Sequence, residues 1–250
     1  MISAEPSPRA RFWRRVFAFI IDGCAVGAVI AAIGIPLFSL TDGRIRVANT
    51  LVNYSMCAGG TALPAGLDLP ADFNVTHVVH CTRYFFGVVH DRTLTVREVT
   101  RSGSLTYTRS ITFSADAAGR PSEAFYLDYL WIFILACYRI VSEWKLGTTL
   151  GKHLLRMRVQ PVGGGPMTAT GALTRTLVCF IPMYPFALLM VLLIALGPTG
   201  LFAMGHYFFA VVFVGLVLTV VFLLNFILAV RRARLPWHDR WAGTEVVRGR

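Results

Sequence analysis

Four long apolar runs divide the chain: Val16–Leu40, Ala124–Val141, Leu173–Leu196 and Leu201–Val230. A helix needs roughly 20 apolar residues to cross the hydrocarbon of a bilayer, so each run predicts a transmembrane helix. Residues 41–123, between the first two runs, follow another rhythm. There YFFGVV (84–89), TLTVREV (93–99) and SLTYTRSITFS (104–114) alternate in the manner of strands, with HDR and TRSG between them as turns. The stretch before them, with Gly59-Gly60, Pro64 and Pro70, reads as irregular loop. The predicted fold class is an all-α membrane bundle of four transmembrane helices, with a small antiparallel β insert between helices 1 and 2. Its parts are an N-terminal arm and helix 1 (1–40), the insert (41–123), and helices 2–4 (124–250). The last part includes an amphipathic loop (143–172) and a tail (231–250).

Composition agrees with a bilayer as the main partner. Hydrophobic residues make up 55% of the chain and charged residues 15%, against about 25% charged in an ordinary soluble domain. The first run is not expected to be a cleaved leader, because it is too long, holds Asp22 and Pro36, and ends in no A-x-A site. A net charge of +11 raises the question of nucleic acid, and its distribution answers it. The insert carries eight bases against seven acids, so the excess falls before helix 1, between helices 2 and 3, and after helix 4. Those segments share one side after even numbers of crossings, which is the positive-inside pattern. The expectation is a multi-pass protein of the bacterial inner membrane, with both termini cytoplasmic, the insert outside and no nucleic-acid partner.

Cysteines and prolines add local detail. Cys24, Cys137 and Cys179 fall in or beside membrane helices and read as packing residues. Cys57 and Cys81 are the two cysteines of the insert, where an extracytoplasmic space permits a disulfide. Bridged, they would close a loop of about 25 residues, worth about 3 kcal/mol in the chain-entropy model; the bridged and free states both stay open. His77, His80 and His90 lie nearby, but strand positions three apart face opposite sides, so no metal is expected. Pro182 and Pro185 predict a kink in helix 3. Gly23, Gly27 and Ala31, four apart, allow close helix packing or are simply common membrane residues.

The sharpest chemical signal is a carboxylate inside an apolar helix. Asp22 follows Arg15 by seven residues, nearly two turns, so both lie on one face with Ala18 between them. Helical side chains lean toward the N-terminus, which points Asp22 toward Arg15, with a water or a third group spanning the gap. An acid at membrane depth costs about 2.5–3.5 kcal/mol on the insertion scale, so it has either a use or a set of anchoring partners. Elsewhere, Arg139 and Glu143 have the spacing of an ion pair. Asp128 belongs with an aromatic belt, while Asn225 and His206 are placed to hydrogen-bond across helices.

Two cytoplasmic stretches complete the set: LGTTLGKHLLRMRV (146–159) and PWHDRWAGTEVV (236–247). The Gly-Lys pair at 151–152 is no phosphate loop, since His153 replaces Ser or Thr and no strand precedes it. The first stretch reads as interfacial, with Leu150, Leu154 and Leu155 toward lipid and Lys152, Arg156 and Arg158 toward headgroups. MRV (157–159) and TEVV (244–247) are candidates to pair as strands.

These motifs resemble the RDD family of bacterial membrane proteins. FWRRVFAFIID (12–22) is similar to the family's arginine and first aspartate, as Arg15 and Asp22. TTLGKHLLRMRV (148–159) resembles its Thr-x-Gly-Lys motif, and HDRWAGTEVV (238–247) resembles its ending, with Asp239 as the second aspartate. The long insert departs from the family's simple members. The resemblance implies transport of an unidentified ion or small solute. The candidate residues are Arg15, Asp22, Lys152 and Asp239, converging at the cytoplasmic mouth, with Arg240 and Thr244 of the same ending. Four helices make a thin pathway, so a homo-oligomer is expected. A non-transport scaffold whose insert binds a partner is the alternative. No nucleophile–base pair, zinc motif or carboxylate dyad suggests an enzyme, and no cofactor is expected.

Overall fold

The computed structural model describes residues 10, 12–48, 52–60, 63–64, 67–189, 191–192, 206–232 and 234–248. The chain forms two compact units, one of Cys24–Trp131 and one of Met1–Gly23 with Ile132–Arg250. The first helix, α1 (Phe12–Leu40), contributes to both.

The unit of residues 24–131 is built on four antiparallel strands in chain order: β2 (Tyr54–Gly60), β3 (His77–Phe85), β4 (Val88–Ser102) and β5 (Leu105–Ser114). Phe73, Val78, Leu94, Val96 and Ala115 form its core. The β5 strand and the Gly103 turn fall where expected, but HDR (90–92) is not a turn. The chain reverses instead at Phe86-Gly87, both at positive φ (46° and 85°), the left-handed pair that a tight two-residue hairpin requires. His90 and Asp91 run on inside β4 because both are buried and bonded there. The stretch read as loop is also corrected: Gly59 and Gly60 end β2. Cys57 and Cys81 stand opposite each other in the β2–β3 register and are bridged.

Arg46 anchors this unit. It sits in β1 (Ile45–Arg46), which pairs in parallel with β6 (Phe125–Tyr126), and its side chain is wholly buried. Its guanidinium meets Asp91 (3.0 Å), Ser122 Oγ (3.0 Å), and the carbonyls of Ala115 (2.8 Å), Gly43 (2.5 Å) and Arg92. His90 Nδ1 lies 2.7 Å from the Val47 carbonyl. One long cation thus ties irregular chain to the sheet through backbone carbonyls from three separate places in the sequence.

Among the described residues, three helical stretches are long and apolar enough to cross a membrane: Phe12–Leu40, Ala169–Leu189 and Tyr207–Ala229. The predicted second span, Ala124–Val141, is displaced. Its first residues form β6 and a 3₁₀ turn (Leu127–Leu130), and helix α2 covers Trp131–Leu146. The cause is local, since Phe125 N–H bonds the Arg44 carbonyl (2.7 Å) and the Asp128 carboxylate accepts from Ala48 N–H (2.6 Å). Asp128 is therefore a backbone tie, not a belt residue. An all-α class is corrected to helices plus sheet.

In the other unit, α3 (Leu150–Leu154) and β7 (Met157–Pro161) follow α2. Helix α4 (Ala169–Phe180) breaks at a 3₁₀ turn, Ile181–Met183, before helix resumes to Leu189. Pro182 lies in that turn, and its missing N–H explains the break. Helix α5 (His206–Arg231) leads to α6 (Trp237–Trp241) and β8 (Thr244–Arg248). The expected pairing of the loop with the tail is present: β7 and β8 run antiparallel, Val159 opposite Val246. Asn225 accepts from Trp237 N–H at the start of α6 (3.1 Å). The predicted ends at Leu196 and Leu201, and the His206 side chain, lie outside the described residues.

Candidate functional site: a buried charge network at one end of the helices

Asp22 is 1% exposed. Its described partners are neutral donors from one short stretch and one helix. Thr149 Oγ donates to Oδ2 (2.6 Å), Gly151 N–H to Oδ1 (2.8 Å) and the Tyr138 hydroxyl to Oδ1 (3.2 Å). Tyr138 in turn accepts from Leu150 N–H (2.7 Å). Thr149 caps α3, so its hydroxyl also accepts from Lys152 N–H. The expected lean of Asp22 toward Arg15 is corrected. The loop after α2 folds back onto α1 and offers closer donors than a side chain about 10 Å along the axis.

This arrangement gives Thr149-x-Gly151-Lys152 a physical meaning. Thr149 supplies a hydroxyl to Asp22. Gly151 supplies its N–H and also space, since a Cβ there would lie 2.1 Å from the Ala18 carbonyl oxygen. Ala18, 1% exposed, is the facing small residue on α1. Lys152 turns inward and pairs with Glu143. Its predicted place among headgroups is thus also corrected, and only 7% of it is exposed. Leu150 and Leu154 do lie exposed, and Leu155 is half-buried.

Arg15 serves the second aspartate. Its Nη1 donates to Asp239 Oδ2 (2.7 Å), with further bonds to the carbonyls of Ala10 and Val246. Asp239 Oδ1 accepts from Arg175 Nε (2.7 Å), and Arg175 Nη1 reaches Glu143 Oε2 (2.5 Å). Glu143 also meets Arg139 (3.5 Å), the i,i+4 pair expected from sequence. The result is an alternating series, Arg15–Asp239–Arg175–Glu143–Lys152, in which all five side chains are at most 8% exposed. Arg139 is flanked by the rings of Phe19 and Phe180 (5.6 and 5.7 Å to the centroids) and by Cys179 Sγ.

The network tunes its members outside the spanning helices. Burial raises the cost of charge on Asp239, but Arg175, His238 and Arg15 outweigh it and hold its carboxyl below the usual carboxylate range. Burial pulls Lys152 down to about 8, against the opposing pull of Glu143. Burial likewise lowers His238 to about 4, so it is neutral at pH 7.

Of the six predicted candidates, Arg15, Lys152 and Asp239 enter the charged series, and Asp22 sits beside it through Thr149 and Gly151. Thr244 is buried and donates to the Asp239 backbone carbonyl (3.5 Å), so it shapes α6 without touching the charges. Arg240 is exposed and outside the series. Arg175 was missed as a central residue; it read only as one more positive-inside charge. The available signal was arithmetic: between Glu143 and Asp239 the sequence has no acid at all.

Residues 9–243 match the model of the RDD family. No curated protein and no solved structure matches the chain. With Arg15, Asp22 and Asp239 placed as described and nearly the whole length matched, the chain belongs to the RDD family.

Proposed function

We propose that this protein moves an ion or small solute across a bacterial inner membrane, through four spans with both termini cytoplasmic and the insert outside. Three joined segments support the topology. Ala10 N–H bonds the Val246 carbonyl (3.1 Å), and β7 pairs with β8. The segments before α1, after α2 and after α5 therefore form one body, on one side of a bilayer. The chain from Ala10 to Met157 must then cross an even number of times. Helix α1 supplies one crossing and α2 the other. At 1.5 Å per residue the 16 residues of α2 reach about 24 Å, and the 3₁₀ turn before it adds about 8 Å. The bases clustered in these joined segments, and the disulfide in the insert, point the same way.

The observation that carries the functional reading is Asp22: an acid in an apolar helix, held by hydroxyl and amide donors and bordered by a charge series. It is the titratable group best placed to exchange with a permeating species, while the five-residue series holds the rim of the bundle. Vesicle flux assays on the Asp22→Asn protein test this. Flux should be lost while the folded protein inserts normally; unchanged flux removes Asp22 from the mechanism. The scaffold reading draws on a different observation, the disulfide-clamped sheet. Deleting residues 45–118 separates the two, since a scaffold loses its role and a transporter keeps its flux.

A further inference from the structure

Strand β2 ends the sheet, and among the described residues no strand lies beside its outer edge. All seven of its residues are exposed. Free edges are templates for strand addition, and proteins that keep them free guard them with charge, proline or bulges. Nothing of that kind guards β2. From Val47 to Pro64 the chain has no charged residue, and β2 itself has neither proline nor bulge. The opposite edge differs: on β5, Arg109 is engaged with Asp72 and Glu98. The β2 edge is also held firm before any partner arrives, because Cys57–Cys81 ties it to β3. At that pair the Cα atoms are 4.1 Å apart, the close spacing of a non-hydrogen-bonded pair. The backbone N–H and C=O of Cys57, and of Ser55 and Gly59 two residues away, therefore face outward. Tyr54 (50% exposed) and Met56 (63%) stand on the same face of the strand beside this edge.

We propose that β2 pairs with β2 of a second copy of this chain, joining two four-stranded sheets into one of eight across a two-fold axis. Self-pairing explains the missing charge. A two-fold axis sets side chains near it close to their own copies, so a lysine or glutamate at the middle of β2 would meet a like charge. An edge built for a different partner would have no such need and could use opposite charge for selection. Antiparallel pairing follows from the symmetry. It closes at two copies, because each chain has one such edge. This inference does not depend on transport.

The test uses the full chain in native membranes, with Met56 replaced by the photo-crosslinking residue p-benzoylphenylalanine. Irradiation should give a covalent species of two chains. The same residue at Thr108, on the exposed part of β5, should give none. Adding Ser55→Lys should lower the two-chain yield by about tenfold or more, with the Cys57–Cys81 bridge retained as proof that the sheet is intact. If the bridge is lost, Ser55→Glu takes its place with the same expectation. No two-chain product from position 56, equal product from position 108, a ladder of higher multimers, or a crosslink to a different protein would each overturn the proposal. Flux through a Ser55→Lys protein that stays single is a separate readout, so failure here leaves the transport reading to its own assay.

Discussion

Both units bury an arginine against carboxylate oxygen, and they satisfy it by opposite means. In the sheet unit, Arg46 meets one acid and fills its remaining donors with the carbonyls of Gly43, Arg92 and Ala115 and the Ser122 hydroxyl. In the helical unit, Arg175 meets two acids, and each acid meets a second cation. The difference follows from the backbone. Chain outside helices, at Gly43, Arg92 and Ala115, turns carbonyls toward the guanidinium, whereas helices consume their own carbonyls and leave only side chains to answer a charge. A buried cation is thus glue for loops in one place and a junction among helices in the other.

Removing the junction should have the largest effect. Arg175→Ala takes one buried cation from both Glu143 and Asp239 at once, and breaking a buried pair costs about 3–5 kcal/mol. The expected result is a protein that fails to accumulate or melts far earlier in detergent, read by thermal unfolding. If Arg175→Ala melts like the parent, the series is not what holds the helices. Arg46→Met should cost somewhat less, about 3 kcal/mol, because one acid rather than two loses a partner, and Asp91 keeps Arg83 at 3.3 Å. Hydrogen exchange should show the loss in β4 around residues 90–96, and protection unchanged there would contradict the role given to Arg46.

Opening the disulfide sharpens the contrast from the other side. Replacing Cys57 and Cys81 with serine should lower sheet stability by about 3 kcal/mol in the chain-entropy model. The helical series, which contains neither cysteine, should keep its thermal transition. Gly151→Ala is a smaller and more local insult. Its methyl has no room before the Ala18 carbonyl, and overpacking typically costs about 1–3 kcal/mol. Infrared or NMR signals of the Asp22 carboxylate should shift as Thr149 and Gly151 move away; an unmoved signal means that α3 does not hold Asp22.

The most gradual expected effect is a pH dependence confined to the helical unit. His238 is lowered from 6.5 to about 4 when folded, mainly by burial and then by Arg175, Arg139 and Arg15, with Asp239 opposing. Between those values the unfolded chain takes a proton that the folded chain refuses. Stability is therefore full above about pH 6.5 and declines as pH falls toward 4. Asp239 stays ionised through most of this window because its own range lies lower. His238→Gln should flatten that slope in a melting series, and a slope that survives the substitution belongs to another group.

Much of this was legible in the pattern of residues. Strand β5, the Gly103 turn, the Pro182 break, the Arg139–Glu143 pair and the pairing of residues 157–159 with 244–247 all follow from spacing and local chemistry. The HDR segment did not, because polar residues signal a turn when exposed and a buried network when an arginine waits opposite. Asp22 was visible as an anomaly, yet its partners were not. Intrahelical geometry pointed to Arg15, while the actual donors come from a loop more than 120 residues away. Arg175 was invisible for a related reason: a base near a membrane end looks alike whether it faces headgroups or two carboxylates.

By itself the sequence determined that this chain lives in a bilayer, that several of its segments are apolar enough to cross, where the positive charge gathers and that one acid lies out of place among them. Those properties depend on composition and on spacing along one element, so a linear reading holds them. Only the tertiary structure decided which charge answers which: Arg15 for Asp239, Lys152 for Glu143, and Thr149 with Gly151 for Asp22. Pairing is a matter of distance between elements, and a buried charge accepts whichever donor the packing brings within about 3 Å.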